Sequence, residues 1–174
     1  MQEFITDAVV LDKGPSRDLD ARYSFFTRRF GKIVGKAKSV RKITSKLAGH
    51  LEPGNLVRIR FVERNGGSGG TQVVDALKDR KLDIALPDLR LLNMMLHEGE
   101  PDEALWQALL GGAKAAFSWP RILRILGWDP AGTACEMCGK KTAYFYIPRQ
   151  EFFCASCASK LPQNELVLVA YAEI

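Results

Sequence analysis

The sequence predicts an α+β fold with three parts: a five-stranded β-barrel, a small helical domain and a zinc ribbon-like module. Three observations support this prediction. The first 80 residues contain short β-rich segments separated by turn signals, the next part has apolar side chains at helical spacing, and the last part contains all four cysteines of the chain. The predicted domains are 1–80, 81–128 and 129–174.

The composition is that of an ordinary globular chain. It has 174 residues, of which 47% are hydrophobic and 26% charged, and this balance excludes wholesale disorder. No apolar run approaches the roughly 20 residues that a membrane-spanning helix needs. The N-terminal residues lack the basic region and the small-residue cleavage site of a signal peptide. We therefore expect a soluble, cytoplasmic protein.

The five β-rich segments are bounded by glycine and proline turns, including the glycine-rich run 65–70. They are Glu3–Leu11, Arg22–Arg28, Lys32–Lys38, Leu56–Arg64 and Thr71–Leu77. No long helix alternates with these segments, as it would in a doubly wound sheet. A closed or partly closed barrel is therefore expected.

Charge is concentrated in the predicted barrel. Residues 13–64 hold 14 Lys and Arg but only four acids, a local net charge of +10, whereas the rest of the chain has a net charge of −5. Between Arg28 and Lys46 there are eight basic residues and no acid. A solvated surface normally mixes both signs, so this segregation favours a polyanionic partner.

Side-chain alternation predicts where the cations lie. Along Leu56–Arg64 the apolar Val57, Ile59 and Phe61 alternate with arginines, so the arginines face outward. Most aromatic rings of this region are needed inside the barrel, and we expect phosphate contacts more than base stacking. The candidate nucleic-acid-binding residues are Arg28, Arg29, Lys32, Lys36, Lys38, Arg41, Lys42, Lys46, Arg58 and Arg60.

Three helices are predicted between the barrel and the cysteines. Leu89, Leu92 and Leu96 are at helical spacing in the first, with Met94 and Met95 expected in its core. Pro101 is expected at the first position of the second helix, because proline lacks the N–H that a helix start leaves unpaired. Ser118 is expected to cap the third, and Gly127 to end it.

The cysteine spacing is the strongest local signal. Cys135 and Cys138 form one Cys-x2-Cys pair, Cys154 and Cys157 form another, and 15 residues separate the pairs. This spacing is typical of a zinc site. Four thiolates complete a tetrahedral shell and leave no position for a water molecule, so one structural Zn²⁺ is predicted. Disulfides are disfavoured without a secretion signal, and a redox pair would follow a strand in a βαβ unit.

No catalytic constellation accompanies these features. His50 and His97 have no obvious catalytic companions, and we expect them in core or surface roles. The glycine run 66–70 is not a phosphate loop, because neither Gly-Lys-Ser/Thr nor a helix follows it. The sequence predicts a protein that is not an enzyme and takes no small-molecule substrate.

Several segments resemble the bacterial recombination mediator RecO. They are Thr6–Leu11, Phe25–Thr27 with Gly31 and Lys32, Ala37–Lys42 and Ser45–Pro53. The resemblance extends more loosely through the helices to the cysteines. RecO proteins usually continue beyond their cysteine module into further helices, whereas this sequence ends at Ile174 after a strand-like tail, Leu166–Tyr171.

The resemblance implies a barrel of the oligonucleotide-binding (OB) type that binds single- and double-stranded DNA in recombinational repair. It further implies strand annealing and loading of the recombinase RecA. The implied partners are RecR and the acidic tail of the single-strand-binding protein, and the implied location is the bacterial nucleoid. By position, the implied DNA contacts are Lys38, Arg41, Lys42 and Lys46, and the implied zinc ligands are the four cysteines.

Two alternative functions are also compatible with these residues. The chain could be an RNA-binding zinc-ribbon protein, because a basic barrel does not by itself distinguish DNA from RNA. It could also be a protein-interaction adaptor whose basic strip binds an acidic protein tail.

Overall fold

The first five strands of the chain close into a β-barrel with the order β1-β2-β3-β5-β4. They are β1 Gln2–Pro15, β2 Ala21–Thr27, β3 Gly31–Ala37, β4 Asn55–Glu63 and β5 Thr71–Lys81. Strand β1 pairs with both β2 and β4, and β3 runs parallel to β5 while the other pairs are antiparallel. The OB-type barrel predicted for this part of the chain is confirmed.

The computed structural model describes residues 1–15, 19–63, 70–111 and 116–169. Arg64, nearly all of the glycine-rich run and the end of the apolar tail lie outside the described residues. The chain divides into two compact units, Met1–Trp106 and Gln107–Ile174. The helical residues are shared between these units, and the division into three domains stays a prediction.

The barrel interior follows the alternation of the sequence. Val57, Ile59 and Phe61 of β4 are buried, while Arg58 and Arg60 between them are exposed. Alanine, valine, isoleucine and aromatic side chains of the other strands complete the interior. Because the strand period is two, Val57, Ile59 and Phe61 share the core face, whereas Arg58 and Arg60 lie on the opposite face and are exposed.

Most of the aromatic rings are buried, as the sequence predicts. Tyr23, Phe25 and Phe61 belong to the barrel core, and Phe30 packs against it partly buried. Phe26 is also fully buried, but its ring lies 6.3 Å from that of Trp106. The rings of these strands therefore contribute to packing, and they leave little aromatic surface for bases.

Helix α1, Leu86–Met95, packs against β1. It begins three residues before Leu89, because Pro87 occupies the first turn, where its missing N–H costs nothing. Met95 is buried as expected, but Met94 is 55% exposed, so its predicted place in the core is wrong. The two side chains are about 100° apart around the helix, and only one can face the barrel.

Helix α2, Glu103–Leu110, spans the boundary between the two units. The Asp102 carboxylate accepts a hydrogen bond of 2.9 Å from the backbone N–H of Leu105. Asp102 is therefore the N-cap, and Pro101 precedes the cap instead of occupying the first helical position. An acidic side chain at this position also interacts favourably with the helix dipole.

The second unit contains helix α3, Trp119–Ile125, and a three-stranded sheet of order β7-β6-β8. Ser118 occupies the N-cap position of α3, and Gly127, with φ of 96°, follows the helix. The remaining elements are β6 Tyr144–Tyr146, β7 Glu151–Phe153, helix α4 Ala155–Ala158, a 3-10 turn Gln163–Glu165 and β8 Leu166–Leu168. Among the described residues, no helix is long and apolar enough to cross a membrane.

Candidate metal centre and nucleic-acid interface

The four cysteines of the second unit converge on one point. Their Sγ atoms all lie within 4.8 Å of one another. Cys135 and Cys138 lie in a turn before β6, Cys154 is the N-cap residue of α4, and Cys157 lies within that helix. The hairpin of β6 and β7 brings the two pairs together, and the backbone N–H of Glu136 donates to the Phe152 carbonyl at 3.0 Å.

Each pair is held by backbone hydrogen bonds around its first cysteine. The N–H of Gly139 donates to the Cys135 carbonyl at 2.8 Å, and the N–H of Ala158 donates to the Cys154 carbonyl at 2.9 Å. Gly139 has φ of 69°, in the left-handed region that glycine adopts without strain. These turns fix both thiols of a pair on one side of the backbone.

The geometry fits a tetrahedral metal ion. The Cys138 Sγ lies 3.6 Å from the Sγ of Cys154 and 3.6 Å from that of Cys157. A tetrahedron with metal–sulfur bonds of about 2.3 Å places its sulfurs about 3.8 Å apart. A disulfide would need about 2.05 Å. The arrangement is therefore that of metal ligands and not of two disulfides.

The thiols differ in acidity before any metal is bound. Burial raises the pKa of Cys135, but backbone N–H groups of Cys154, Met137 and Cys138 lower it more, to about 6. The N–H of Cys157 lowers the pKa of Cys154, whereas the hydrogen bond with Cys138 raises the pKa of Cys157 to about 12. Thiolates are the species that ligate metals, and the lowered pKa values of Cys135 and Cys154 favour that form.

Nine of the ten candidate nucleic-acid-binding residues are exposed in the first unit. Four of them, Lys38, Arg41, Lys42 and Lys46, lie on the connection between β3 and β4. We call residues 38–50 of this connection the basic loop. Lys42 and Lys46 form no ion pair with any residue that the structure describes. Lys42 and Lys46 of the basic loop are therefore cations that the fold does not compensate with a described acid.

The basic loop is held firmly at its base. The buried Asn55 side chain donates to the His50 carbonyl at 2.9 Å, and His50 Nδ1 accepts from the backbone N–H of Lys78 at 3.0 Å. His50 thus has the structural role that the sequence predicts. At the other end, the Asp20 carboxylate accepts from the N–H of Ser39 at 2.8 Å. The cations are consequently displayed on an ordered loop.

Other candidates are paired with acids from distant parts of the chain. Arg58 lies 3.0 Å from Asp7, Arg60 lies 3.2 Å from Glu3, and Lys36 lies 2.9 Å from Asp20. The ion pair with Lys36 lowers the pKa of Asp20, as does the Ser39 N–H. Arg28 makes a two-pronged contact with Glu103, at 2.9 and 3.0 Å. The acid-free segment of the sequence is therefore partly neutralised once the strands pair.

Comparison with known proteins supports the resemblance noted in the sequence. A family described as Recombination protein O N terminal matches residues 1–76, which cover most of the barrel. The DNA repair protein RecO of Dehalococcoides mccartyi is 48% identical, and the alignment covers 89% of this chain and 70% of that protein. The chain belongs to the RecO family.

More distant RecO proteins align over similar spans. That of Koribacter versatilis is 26% identical, covering 96% of this chain and 77% of its own length. That of Geobacter sulfurreducens is 28% identical, covering 76% of this chain and 62% of its own length. The chain is thus a member of a family of DNA repair proteins.

One of the ten candidate nucleic-acid-binding residues of this RecO chain, Lys32, has a structural role. Lys32 on β3 is half-buried, and its Nζ donates to the backbone carbonyls of Asn93 and Leu96 at 2.6 and 3.0 Å. Burial lowers its pKa, although nearby Glu98 opposes this effect. Both acceptors lie at the C-terminal end of α1, where carbonyls lack helical partners. Lys32 therefore joins the helix to the barrel.

A further cation was missed by the sequence analysis of this RecO chain. Arg22 of β2 is exposed and lies directly opposite Lys36 of β3. In OB-type barrels the face of β2 and β3 is a common binding surface for oligonucleotides. Arg22 precedes the acid-free segment between Arg28 and Lys46, so the charge pattern of the sequence did not identify it. Only the strand register places it beside Lys36.

Proposed function

We propose that this RecO protein binds single- and double-stranded DNA without catalysing a reaction, and that it acts in recombinational repair. The observation that carries the proposal is the basic loop, whose exposed cations project from an OB-type barrel on ordered backbone. Family membership supports the choice of DNA over RNA. It also supports a place in the bacterial cytoplasm, at the nucleoid.

The proposed mechanism is electrostatic. The basic loop contacts phosphates through Lys38, Arg41, Lys42 and Lys46. Further contacts come from Arg22 and Lys36 on the β2–β3 face and from Arg29, which is nearby in sequence. If roughly six to ten phosphates are neutralised, affinity falls about 10³- to 10⁵-fold between about 50 and 200 mM salt. Such contacts follow the backbone of any strand and do not select a sequence.

The paired arginines have a smaller share in this proposal. Arg28, Arg58 and Arg60, like Lys36, already have carboxylate partners, at 2.9 to 3.2 Å. A phosphate that approaches them must compete with those acids, so each contributes less than an unpaired lysine. Lys32 is expected to contribute through the packing of α1.

We further propose that the cysteine cluster holds one Zn²⁺. The donor set of four thiolates suits zinc among the abundant divalent metals, and the sulfur spacing of 3.6 Å is close to that of a zinc tetrahedron. With all four positions filled by protein, the metal supplies folding energy to the second unit and no activated water. The absence of an open coordination position supports a role outside catalysis.

Family membership also supports the finer activities. These are annealing of complementary strands and assistance to RecA loading on strands coated by the single-strand-binding protein. RecR and the acidic tail of that coating protein are the proposed partners. An annealing assay with coated and bare complementary strands tests the first activity. A failure to accelerate annealing under either condition would contradict the annealing activity.

The decisive experiment for DNA binding is a fluorescence anisotropy titration against salt. The triple variant Lys38→Ala, Arg41→Ala and Lys42→Ala is compared with Arg90→Ala, Arg121→Ala and Arg149→Ala, which removes the same charge from exposed sites elsewhere. We expect weaker binding to all DNA sequences and a shallower salt slope in the first variant only. Equal losses in both would point to net charge, and an unchanged first variant would reject the basic loop.

Single-stranded RNA of matched sequence serves as the competitor. Tighter binding of RNA than DNA would contradict the proposal and favour an RNA-binding protein. A salt-independent affinity for both would contradict the electrostatic mechanism.

A further inference from the structure

The basic loop carries a large apolar side chain at its tip. Ile43 is fully exposed, and its neighbours Lys42 and Thr44 are exposed as well. Single exposed apolar residues are ordinary on protein surfaces, so exposure alone carries no conclusion. What distinguishes Ile43 is that it is fully exposed between basic residues of the loop, with Arg41 and Lys42 before it and Lys46 after it.

The loop backbone prevents Ile43 from reaching the core. Val40, three residues earlier, is buried in the barrel core, and Leu47, four residues later, packs against it partly buried. Between these anchors, two turns succeed each other: the N–H of Lys42 donates to the Ser39 carbonyl at 3.2 Å, and the N–H of Ser45 donates to the Lys42 carbonyl at 2.9 Å. The residue between them is therefore presented outward.

The tip is also fixed to a second connection of the barrel. The N–H of Arg41 donates to the Leu19 carbonyl at 2.9 Å, in the connection between β1 and β2. In OB-type barrels this connection commonly contacts oligonucleotides. Ile43 consequently lies on the same ordered structure as the cations that would bind phosphates, two residues beyond the point where the two connections meet.

We propose that Ile43 inserts between adjacent bases of the bound nucleic acid while Arg41, Lys42 and Lys46 hold the flanking phosphates. A nucleic-acid strand combines a negative exterior with flat apolar bases a few ångströms behind it, which matches an isoleucine surrounded by cations. Apolar side chains that enter between base steps unstack them. The inference rests on the proposed DNA-binding function and adds a base contact to an otherwise electrostatic mechanism.

The experiment uses an oligonucleotide that contains 2-aminopurine, whose fluorescence increases when it is unstacked. We expect the full chain to increase this fluorescence on binding and Ile43→Ala to bind without the increase. We expect Ile43→Ala to lower affinity about 5- to 30-fold with an unchanged salt slope, because the lost contact is apolar. Lys42→Ala should instead lower the slope by about 0.7 on single strands.

Ile5→Ala is the matched control, because Ile5 is an isoleucine 59% exposed on β1. It should behave as the unaltered chain, and Ile43→Leu should restore most of the fluorescence increase. If the unaltered chain binds DNA with a steep salt slope but Ile43→Ala matches it in fluorescence and affinity, the inference is wrong and the proposed function stands. If the unaltered chain binds no DNA, the proposed function itself fails.

A membrane surface also combines negative charge with apolar matter. Binding to vesicles that contain phosphatidylserine, lost in Ile43→Ala while DNA binding and 2-aminopurine fluorescence stay unchanged, would overturn the inference and assign the tip to a membrane.

Discussion

The Nζ atom of Lys32 lies 2.6 Å from the backbone oxygen of Asn93, across 61 residues of sequence. Through this contact a barrel strand supplies the positive charge that the C-terminal end of α1 favours. The cation is held by two carbonyls and is half-buried, so it is less available to a ligand than an exposed lysine. A residue in the middle of the most basic segment is thus used for packing.

Replacing Lys32 with Ala should lower stability and leave the salt dependence of DNA binding unchanged. It removes hydrogen bonds to two carbonyls and leaves them without a charged donor, a loss of about 1–3 kcal/mol in the free energy of unfolding. Chemical denaturation measures this loss. The companion variant Lys42→Ala, at an exposed position, should leave stability unchanged and reduce the salt dependence of DNA binding. Similar salt slopes for Lys32→Ala and Lys42→Ala would contradict this division of roles.

Removing the metal should unfold the second unit and spare the first. Zinc bound by four thiolates contributes energy comparable to the stability of a small module. We expect one zinc per chain by elemental analysis and loss of the near-ultraviolet circular dichroism of the aromatic residues near the cluster on treatment with a chelator. Cys154→Ser should reproduce this effect.

In the metal experiment, Ser156→Ala serves as a control, because Ser156 is exposed between two ligands without being one. The far-ultraviolet signal of the barrel should persist under both treatments. A chain that keeps its structure without zinc, or that contains no metal when purified, would contradict the proposal.

Substitution of Gly31 should be far more damaging than substitution of Gly99. Both glycines have positive φ, of 65° and 81°, so any side chain carries a similar backbone cost of about 1–2 kcal/mol at either. A Cβ atom on Gly31 would also lie 2.2 Å from the backbone of Glu100, whereas nothing lies within 4 Å of one on Gly99. We expect Gly31→Ala to lose about 3 kcal/mol or more, and thermal unfolding of both variants checks this. Equal losses would show that the segment moves aside easily.

Neutralising acids opposite the paired arginines should strengthen DNA binding. Asp7 and Glu3 hold Arg58 and Arg60 at 3.0 and 3.2 Å. The double variant Asp7→Asn and Glu3→Gln releases both guanidinium groups, and we expect a few-fold tighter binding at low salt, decreasing as salt rises. Anisotropy at two salt concentrations measures the effect.

Neutralising two acids also makes the chain more positive as a whole. The control for that change is Asp83→Asn with Glu151→Gln, which alters the same charge at acids away from the arginine pairs. A gain of the same size in the control would assign the effect to net charge.

The sequence predicts the elements that depend on local pattern. Alternation along β4 identifies Val57, Ile59 and Phe61 as core residues, and the spacing of the cysteines identifies a metal centre. Both patterns are local in the sequence. The core residues of β4 are two positions apart, and the cysteines of each pair are three positions apart. This is why the barrel strands and the cysteine cluster agree with expectation.

Contacts between distant residues are beyond such reasoning. Arg58 and Asp7 are 51 residues apart, and they meet only because β1 and β4 pair in that register. Charge counted along the sequence therefore overstated how isolated the cations are. The exposure of Met94 was missed because adjacent side chains of a helix are about 100° apart, so Met94 and Met95 cannot both face the barrel. The capping by Asp102 was missed because α2 begins two residues later than predicted.

The parallel pairing of β3 with β5 has a consequence for how the chain folds. It joins Gly35 to Thr71 and can form only after the chain has been synthesised as far as β5. The pairing of β1 with β4 is the other long-range seam of the barrel, and it places Asp7 and Glu3 against Arg58 and Arg60. Barrel closure thus brings about pairing of opposite charges as well as burial of apolar surface. Because long-range pairing is slow, we expect the ordered cationic surface to form late in folding.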